Sequence, residues 1–286
     1  MSIALARESR PLNESLFWNP GFIPPAVRRK KSVVTVHDLT HLHFYSKFHR
    51  SYYDAVLRPL YRKCDRIVCV SQFTKSEFCE WSGISEERVD VIHNGVSEIF
   101  FSASRPRIDH KFVYVLYPGN YRNYKNISRL LDAYAMSRLP SAGIHLALTG
   151  NGNLELKSKI EALGLKSTVR FLGFLNQRDL VSAYRSASAV AFISLYEGFG
   201  LPLVEAMATE TPVLAASSSC LPEIGGAAAL YIDPLSIDDI SSGLERIIFD
   251  QSVRSELVEA GRHRARQFSW DSSATALKDV FRKVCG

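Results

Sequence analysis

The sequence lacks long apolar runs and contains few cysteines. No run approaches the roughly 18 to 20 apolar residues that a membrane-spanning helix needs, and residues 1–11 lack the apolar segment of a signal peptide. The five cysteines are scattered, without a Cys-x-x-Cys pair or a nearby histidine at zinc spacing. This pattern predicts reduced thiols rather than a disulfide framework or a zinc site. Together these absences predict a cytoplasmic protein.

Familiar phosphate-binding and metal-binding signatures are also absent. The sequence contains neither Gly-x-x-x-x-Gly-Lys-Ser/Thr nor Gly-x-Gly-x-x-Gly, which excludes a P-loop and the usual dinucleotide fingerprint. An Asp-x-Asp metal cluster is missing as well, so we expect no metal site. The formal charge of +6 suits an anionic ligand or an anionic membrane surface, although it is also common in proteins that bind neither.

Alternating strand and helix patterns predict an α/β protein with two domains. In the first part, strands at 33–36, 66–70 and 89–92 alternate with helices at 50–63 and 72–81, as in half of a doubly wound parallel sheet. In the second part, strands are expected near 112–118, 144–149, 168–172, 189–194, 212–216 and 228–232, with helices between them. The polar stretch 102–110 predicts a linker, so the domains are taken as 1–106 and 107–286.

Glu197 and Glu205 flank a glycine loop between a buried strand and a helix. The unbroken apolar run 189–193 predicts the strand, and the joint that follows it favours an anion through backbone N–H groups and the helix dipole. Carboxylates repel phosphate, so both glutamates are predicted to accept hydrogen bonds from hydroxyl groups of a sugar or a ribose. Gly198 and Gly200 would let the backbone approach a ligand closely.

A second glycine turn opens the second domain. Gly119 and Asn120 follow its first strand, and Arg122 and Lys125 stand just before an apolar helix. The helix dipole, the N–H groups and the two cations all suit a diphosphate, although arginine and lysine are also common on surface loops. Gly150, after the next strand, forms another turn of close backbone approach.

Two further strand ends carry candidate residues. Phe174 and Leu175 follow the third strand of the second domain, where the chain could run alongside a bound nucleobase. His37 and Asp38 end a strand of the first domain, at the edge where α/β proteins place chemistry. A lone histidine is often structural, so position alone leaves both interpretations of His37 open.

Taken together, these motifs resemble glycosyltransferase family 4. The resemblance runs from about residue 17 to the end, and it rests on the Glu-x7-Glu segment 197–208, the turn 119–126, His37-Asp38, the segment 70–75, Asn94-Gly95-Val96 and Phe268-Ser269-Trp270. The forms at 37–39 and 221–226 look most similar to bacterial polysaccharide mannosyl- and rhamnosyltransferases. The resemblance implies a retaining, metal-independent GT-B enzyme without a cofactor, in which two Rossmann-like domains face a cleft.

The resemblance also implies roles for individual residues. Arg122 and Lys125 would bind the donor diphosphate, Glu205 the ribose hydroxyls, and His37 would lie beside the reacting carbon. Glu197 and the backbone amides of Phe199, Gly200 and Leu201 would hold the transferred sugar and its phosphate. The residues predicted to bind the donor are therefore Gly119, Asn120, Arg122, Lys125, Gly150, Phe174, Leu175, Glu197, Gly198, Phe199, Gly200, Leu201 and Glu205, with His37, Glu197, Lys125 and Arg122 as catalytic residues.

The sequence departs from the family pattern in two places. Tyr124 stands where family members often carry arginine. The first clear strand begins at 33, whereas family members begin with further βα units, which predicts a truncated first domain. Its sheet is then either small with an exposed edge, or completed by a partner chain or a second copy. The last helix, at about 271–284, is expected to pack back on that domain. Residues 28–31 form a basic run, which predicts a solvated linker face, with contact with the inner face of an anionic membrane as the alternative.

The leading prediction is a glycosyltransferase that moves a hexose, with mannose from GDP-mannose favoured, to a hydroxyl group of a glycan, lipid-linked or small-molecule acceptor. A glycoside hydrolase using Glu197 and Glu205 as acid and nucleophile is a second interpretation. The phosphate-suited turn, and the lack of tryptophans near the two glutamates, argue against it. A third interpretation is a non-catalytic nucleotide-sugar-binding subunit that a partner chain completes.

Overall fold

The computed structural model describes residues 16–27, 31–102 and 112–286. Contacts divide the chain into two units. Unit 1 comprises Met1–Gly95, Glu197–Phe199 and Ser269–Gly286, and unit 2 comprises Val96–Tyr196 and Gly200–Phe268. The domain boundary expected at 106/107 falls in 103–111, and most of the basic run falls in 28–30. Both lie outside the described residues, so both stay predictions.

Unit 1 is built on a parallel sheet of four strands, ordered as they occur in the chain. The strands are β1 (Phe17–Asn19), β2 (Ser32–Val36), β3 (Arg66–Cys69) and β4 (Val89–Val91). Val34 pairs with Ile67, which pairs in turn with Val89. All five residues of β2 are buried, as expected for a parallel strand that is covered on both faces.

Sequence analysis missed β1, because it placed the first strand at 33. This strand has three residues, and its central Trp18 is 41% exposed, so it is too short to show the pattern of a buried strand. Three parallel pairs with β2 hold it in place. The Trp18 indole also donates a hydrogen bond of 3.3 Å to Thr35 Oγ1, and its ring meets the Phe281 ring edge-on at 5.7 Å. The segment Phe17–Asn19 is therefore a strand because of its contacts with distant residues, not because of its local sequence pattern.

The helices of unit 1 are α1 (Thr40–His43), α2 (Lys47–Tyr52), α3 (Arg58–Tyr61), α4 (Gln72–Ser82) and the last helix of the chain, α12 (Trp270–Cys285). A π-helical turn, Tyr53–Leu57, joins α2 to α3, and Pro59 follows it. The single helix predicted at 50–63 is therefore wrong in its start and its regularity. Proline cannot donate to the helical ladder, and the wider turn accommodates that gap.

Unit 2 contains a parallel sheet of six strands. In chain order they are β5 (Val113–Tyr117), β6 (Ile144–Leu148), β7 (Val169–Phe171), β8 (Ala189–Phe192), β9 (Val213–Ala216) and β10 (Leu230–Ile232). Their spatial order is β10-β9-β8-β5-β6-β7. This is the doubly wound order, with the direction of winding reversing between β5 and β8. The Rossmann-like sheet predicted for this part of the chain is present, and its strands lie within a few residues of the expected ranges.

Helices flank the sheet of unit 2. They are α5 (Ile127–Met136), α6 (Leu154–Ala162), α7 (Gln177–Ser186), α8 (Leu201–Ala208), α9 (Leu221–Gly225), α10 (Ile237–Phe249) and α11 (Gln251–Ala265). Short 3-10 turns lie at Glu98–Phe100, Asn123–Lys125 and Gly226–Ala228, and a further one, Glu86–Arg88, lies in unit 1. The core of unit 2 includes Leu130, Leu146 and Ala191, all fully buried. Apolar stripes on these helices thus face an apolar sheet.

Two helix starts in unit 2 show how the caps work. Asn176 Oδ1 accepts hydrogen bonds from the amides of Arg178 and Asp179, at the start of α7. Ser236 Oγ accepts from the amide of Asp239 at 3.1 Å, at the start of α10, but the Asp239 carboxylate accepts from the amide of Asp233 instead of completing a capping box. Both caps satisfy helix N–H groups that would otherwise lack partners. Within the described ranges, each helix is too short or too polar to cross a membrane.

Candidate functional site

A cavity of about 640 Å³ opens in unit 2 at the carboxyl ends of its strands. Its lining comes from the segments that follow β5, β6 and β7 and from the start of α8: Pro118, Gly119, Asn120, Tyr121, Thr149, Gly150, Asn151, Gly152, Asn153, Gly173, Phe174, Leu175, Leu180, Tyr184, Pro202 and Glu205. In a doubly wound sheet, the winding reversal leaves a crevice in which ligands bind. A cavity of this size suits a nucleotide-sized molecule.

Glycine turns form the floor of this cavity. The Gly150 amide donates a 2.6 Å hydrogen bond to the Gly173 carbonyl, which joins the ends of β6 and β7. Gly152 has φ +68°, and a Cβ there would lie 2.5 Å from the Phe171 ring, so only glycine fits. The Gly119 amide donates to Thr149 Oγ1 at 2.9 Å. The backbone around the cavity is therefore fixed before any ligand arrives.

Glu205 enters the cavity from α8, and Tyr184 on α7 fixes it there. Tyr184 is 1% exposed, and its hydroxyl donates a 2.9 Å hydrogen bond to Glu205 Oε2. Burial raises the pKa of the Glu205 carboxyl, and the hydrogen bond from Tyr184 opposes that rise. Burial also raises the pKa of Tyr184 well above its usual value, so the tyrosine is the donor. A carboxylate held in this way can accept hydrogen bonds from ligand hydroxyl groups.

Arg122 and Lys125 belong to the turn between β5 and α5, and neither is among the described residues that line the cavity. Lys125 lies in the 3-10 turn Asn123–Lys125, with its Nζ 5.5 Å from the centre of the Phe192 ring at the end of β8. The Leu195 amide donates a 2.7 Å hydrogen bond to the carbonyl of Tyr124. The structure therefore brings Lys125 to the segment that follows β8 and leads to Glu197.

Asn126 ends this turn, and sequence reasoning assigned it no role. Its backbone is left-handed, with φ +62°, a conformation that asparagine tolerates better than most residues. Its buried side-chain amide donates hydrogen bonds to the carbonyls of Ile193, at 3.2 Å, and Pro234, at 2.7 Å. Asn126 thus ties the turn to the end of β8. Its position before an apolar helix is the only signal in the sequence.

The glycine loop of the Glu-x7-Glu segment is divided between the units. Glu197–Phe199 groups with unit 1, whereas Gly200 and Leu201 belong to unit 2. Gly200 precedes α8 with φ +88°, and a Cβ there would lie 2.7 Å from Leu221 Cδ2. Glycine is therefore required at the start of this helix, whose first amides can receive an anion.

Gly198 lies against the backbone of His37 in unit 1. A Cβ at Gly198 would lie 1.8 Å from the His37 carbonyl oxygen and 2.9 Å from Asp38 Cβ, so no side chain fits there. The Phe199 ring lies 6.0 Å from the His93 ring. The structure thus brings together His37 and Glu197–Phe199, two of the motifs singled out from the sequence.

His37 is exposed at the end of β2 and contributes to a second cavity, of about 390 Å³, in unit 1. Its Nε2 lies 2.7 Å from the Pro20 carbonyl oxygen. Because a carbonyl oxygen only accepts, Nε2 carries the proton in this arrangement. Trp18, His93 and Trp270 line the same cavity. Asp38 acts locally, since its Oδ1 accepts from the amide of Thr40 at 2.9 Å.

The described residues contain no cluster of three or more histidine, cysteine, aspartate or glutamate side chains suited to a metal ion. The expectation that no metal takes part stays a prediction. Among the residues that sequence reasoning missed, Tyr184 is the most informative. It meets Glu205 across 21 positions in the chain, and no local pattern could have paired them.

Two family models and several curated proteins match this chain. A family model described as "Glycosyl transferases group 1" matches residues 99–264, and one described as "Glycosyltransferase Family 4" matches residues 15–98. The chain is 28% identical over 288 residues to the O-antigen chain mannosyltransferase B of Escherichia coli, covering 96% of this chain and 75% of that protein. It spans 53% to 60% of the length of three other curated relatives.

Solved structures show the same fold. One is WaaG, described as a glycosyltransferase involved in lipopolysaccharide biosynthesis, with a TM-score of 0.76, 18% identity, and coverage of 96% of this chain and 79% of that one. Another is Anabaena Alr3699/HepE in complex with UDP-glucose, with a TM-score of 0.75, 22% identity, and coverage of 87% and 72%. At these identities the likeness establishes the architecture, which is GT-B.

Proposed function

This chain belongs to glycosyltransferase family 4, and on that premise we propose that it is a retaining hexosyltransferase. The donor is a nucleotide-diphosphate sugar, with GDP-mannose favoured, and the acceptor is a hydroxyl group of a glycan, a lipid-linked sugar or a small molecule. The observation that carries the proposal is the cavity at the winding reversal of unit 2, with Glu205 held by Tyr184 at its wall. The mannosyltransferase among the relatives supports mannose.

In this proposal, the cavity holds the nucleoside part of the donor. The base lies beside Phe174 and Leu175, which line the cavity where the chain leaves β7. Phe174 is 89% exposed, so its ring is accessible for stacking on a base. Glu205 accepts hydrogen bonds from the ribose hydroxyl groups. This assignment uses the carboxylate for hydroxyls and leaves the phosphates to other groups.

The diphosphate lies at the glycine turn and at the start of α8. Gly119 and Asn120 offer backbone close to the cavity, and the amides of Gly200 and Leu201 lie at a helix N-terminus, which favours negative charge. Lys125 and Arg122 add positive charge from the turn before α5. When the C1–O bond to the leaving phosphate breaks, these groups stabilise the negative charge that develops on the phosphate oxygens.

The transfer step needs no protein nucleophile in this proposal. The acceptor oxygen bonds to C1 on the face from which the phosphate departs, and the acceptor proton moves to the leaving phosphate oxygen. Retention of configuration follows from this geometry. Glu197 orients the sugar, and His37 lies beside the reacting carbon, with its ring held by the Nε2–H that it donates to the Pro20 carbonyl oxygen. We propose that neither a metal ion nor a cofactor takes part.

A nucleotide-binding assay followed by a transfer assay tests the proposal. Melting of the protein with GDP, UDP, ADP and TDP should show the largest rise in Tm with GDP. A ligand at 100 times its Kd stabilises the folded state by about 2.7 kcal/mol, which corresponds to a Tm shift of several degrees for a chain of this size. UDP is the main competitor in this panel, because one structural neighbour was solved with UDP-glucose.

Transfer of labelled mannose from GDP-mannose to a glycan or lipid-linked acceptor, with and without EDTA, completes the test. The rate should be the same in both conditions, and the product should keep the anomeric configuration of the donor. A protein whose Tm responds to no nucleotide would refute the donor assignment. Loss of turnover in EDTA, restored by Mn²⁺, would refute the metal-free mechanism alone.

We also propose that unit 1 makes peripheral contact with an anionic membrane surface. The supporting observation is α2 (Lys47–Tyr52), which buries no residue. Phe48 is 79% exposed, and Phe44 and Tyr45 are exposed beside it, among Lys47 and Arg50. Aromatic and basic side chains on one exposed segment are the combination that binds the interface of anionic bilayers.

A further inference from the structure

Two buried hydroxyl groups converge on the carbonyl oxygen of Gly198. Ser71 Oγ lies 2.6 Å from this oxygen, and Thr74 Oγ1 lies 3.1 Å from it. Ser71 and Thr74 are both 0% exposed. They stand more than 120 positions away in the sequence, so these hydrogen bonds are long-range contacts within unit 1. Ser71 and Thr74 are called the hydroxyl pair below.

Both members of the hydroxyl pair donate to the carbonyl oxygen of Gly198. Ser71 Oγ accepts from the Thr74 amide at 3.1 Å, as the N-cap of α4, and has one proton to donate. Its distance to Thr74 Oγ1 is 3.0 Å, longer than the 2.6 Å to the Gly198 oxygen. The Ser71 proton therefore goes to Gly198, and the Thr74 proton does too. A carbonyl oxygen has two lone pairs, and the pair uses both.

Helix capping does not account for this arrangement. The cap requires Ser71 Oγ alone, since the Thr74 atom that it binds is the backbone amide. The Thr74 hydroxyl adds nothing to the cap, yet it is buried and directed at Gly198. Without a partner there, a buried hydroxyl would keep the full cost of its removal from water. The contact to Gly198 is thus the structural reason for a hydroxyl at position 74.

The other side of Gly198 is fixed by His37. The site where a Cβ would stand is 1.8 Å from the His37 carbonyl oxygen, so the two backbones are in direct contact. The hydroxyl pair and the His37 backbone together hold one peptide group of the loop. Glu197 precedes that group and Phe199 follows it, so both depend on its position.

We propose that Ser71 and Thr74 are positioning residues that hold the backbone of Glu197–Phe199 against His37 for sugar transfer. This inference rests on the proposed function, in which Glu197 orients the sugar beside His37. The pair acts through the Gly198 carbonyl and has no assigned contact with substrate. Misplacing a substrate-orienting group by about 1 Å costs up to about 100-fold in rate, so small shifts of this loop should be visible in kcat.

Thr74→Val is the sharpest variant, because it keeps the shape of the side chain and the N-cap and removes only the hydroxyl. With GDP-mannose as donor, kcat should fall by about 10- to 100-fold. The Kd for GDP, measured separately, should change far less than kcat, because the nucleoside part of GDP is assigned to the cavity of unit 2, whose lining does not include residues 197–199. Thr74→Ser should restore kcat, since it returns the hydroxyl.

Ser137→Ala is the matched control. Ser137 is buried and donates a 2.8 Å hydrogen bond to the carbonyl of Tyr134 in unit 2, far along the chain from the loop. This variant should leave kcat unchanged. If Thr74→Val does not fold, Thr74→Ala, which leaves space rather than an added methyl group, is used in its place, with Thr74→Ser as its rescue.

Amide hydrogen exchange gives a readout that needs no activity. In the substrate-free protein, Thr74→Val should speed exchange of the amides at 198–200, and Ser137→Ala should not. A wild-type chain that neither transfers nor hydrolyses sugar nucleotides would overturn the proposed function, while exchange would still test the hydroxyl pair. Unchanged exchange in Thr74→Val, wild-type kcat, or a loss of kcat that Thr74→Ser does not restore would each overturn the inference.

Discussion

Replacing Tyr184 by phenylalanine tests the structural basis of the nucleoside site. The substitution removes one hydroxyl, and with it the 2.9 Å hydrogen bond to Glu205 Oε2. A hydrogen bond to a charged group contributes about 1.5–3 kcal/mol, and one between neutral groups about 0.5–1.5 kcal/mol. With Glu205 ionised at pH 7, Tyr184→Phe should lower the free energy of unfolding by about 1.5–3 kcal/mol.

The destabilisation caused by Tyr184→Phe should depend on pH. Burial raises the pKa of Glu205 above its usual value, so the folded state binds this proton more tightly than the unfolded state. The contribution of Glu205 to stability is therefore fully present below the unfolded pKa and is lost as pH rises through the folded pKa. The Tyr184 hydrogen bond opposes the rise of that pKa. Removing it should make the loss of stability deeper and extend it to higher pH.

Urea unfolding at pH 4 and pH 7 measures the effect. The destabilisation caused by Tyr184→Phe should be smaller at pH 4, where the bond joins neutral groups. Tyr231→Phe is the control, because its hydroxyl donates to the Leu221 carbonyl at 3.3 Å rather than to a carboxylate. Its effect should be equal at both pH values. An equal loss at pH 4 and pH 7 for Tyr184→Phe would refute the ionised, tyrosine-bonded state of Glu205.

Two further substitutions test unit 1. Gly198→Ala should destabilise the protein by about 1–3 kcal/mol or more, because the new Cβ would overlap the His37 backbone. Gly21→Ala is the control and should destabilise far less, since its Cβ would meet Asn19 Oδ1 at 3.4 Å. Equal melting temperatures for the two variants would argue against the close contact. Phe48→Ser should weaken co-sedimentation of the protein with phosphatidylglycerol vesicles. Leu154→Ser, at a similarly exposed position of unit 2, is the control and should not. Equal losses in the two variants, or wild-type binding to phosphatidylcholine vesicles as strong as to phosphatidylglycerol vesicles, would contradict the proposed membrane contact.

The sheet of unit 2 could be predicted from the sequence because its central strands, such as β8 and β9, are buried on both faces. Ala189–Phe192 is buried at every position, and such strands appear as continuous apolar runs between glycine turns. The same reasoning failed for β1 (Phe17–Asn19), whose residues are only partly buried and gain strand structure from pairing with β2. A local sequence pattern reflects burial, and the residues of β1 are only partly buried.

Site residues divide in the same way. Glycines with a local backbone requirement, such as Gly200 with φ +88°, could be found because their loops stand between a strand and a helix. Partners that meet across the fold could not. Tyr184 has no local signal in the sequence, and Thr74 stands out only as a member of the segment 70–75; their contacts with Glu205 and Gly198 arise only when distant segments pack. The roles assigned to them remain predictions until the variants are measured.

The eight-residue separation of Glu197 and Glu205 follows from how each is held. Glu197 precedes Gly198, whose carbonyl is bound by Ser71 and Thr74 in unit 1. Glu205 lies on α8, which begins after Gly200, and its carboxylate is bound by Tyr184 in unit 2. Each residue added to or removed from the helix start would turn Glu205 by about 100° around the α8 axis and break its bond to Tyr184. The position of Glu197 is thus fixed by a backbone contact within unit 1, and that of Glu205 by helix geometry within unit 2.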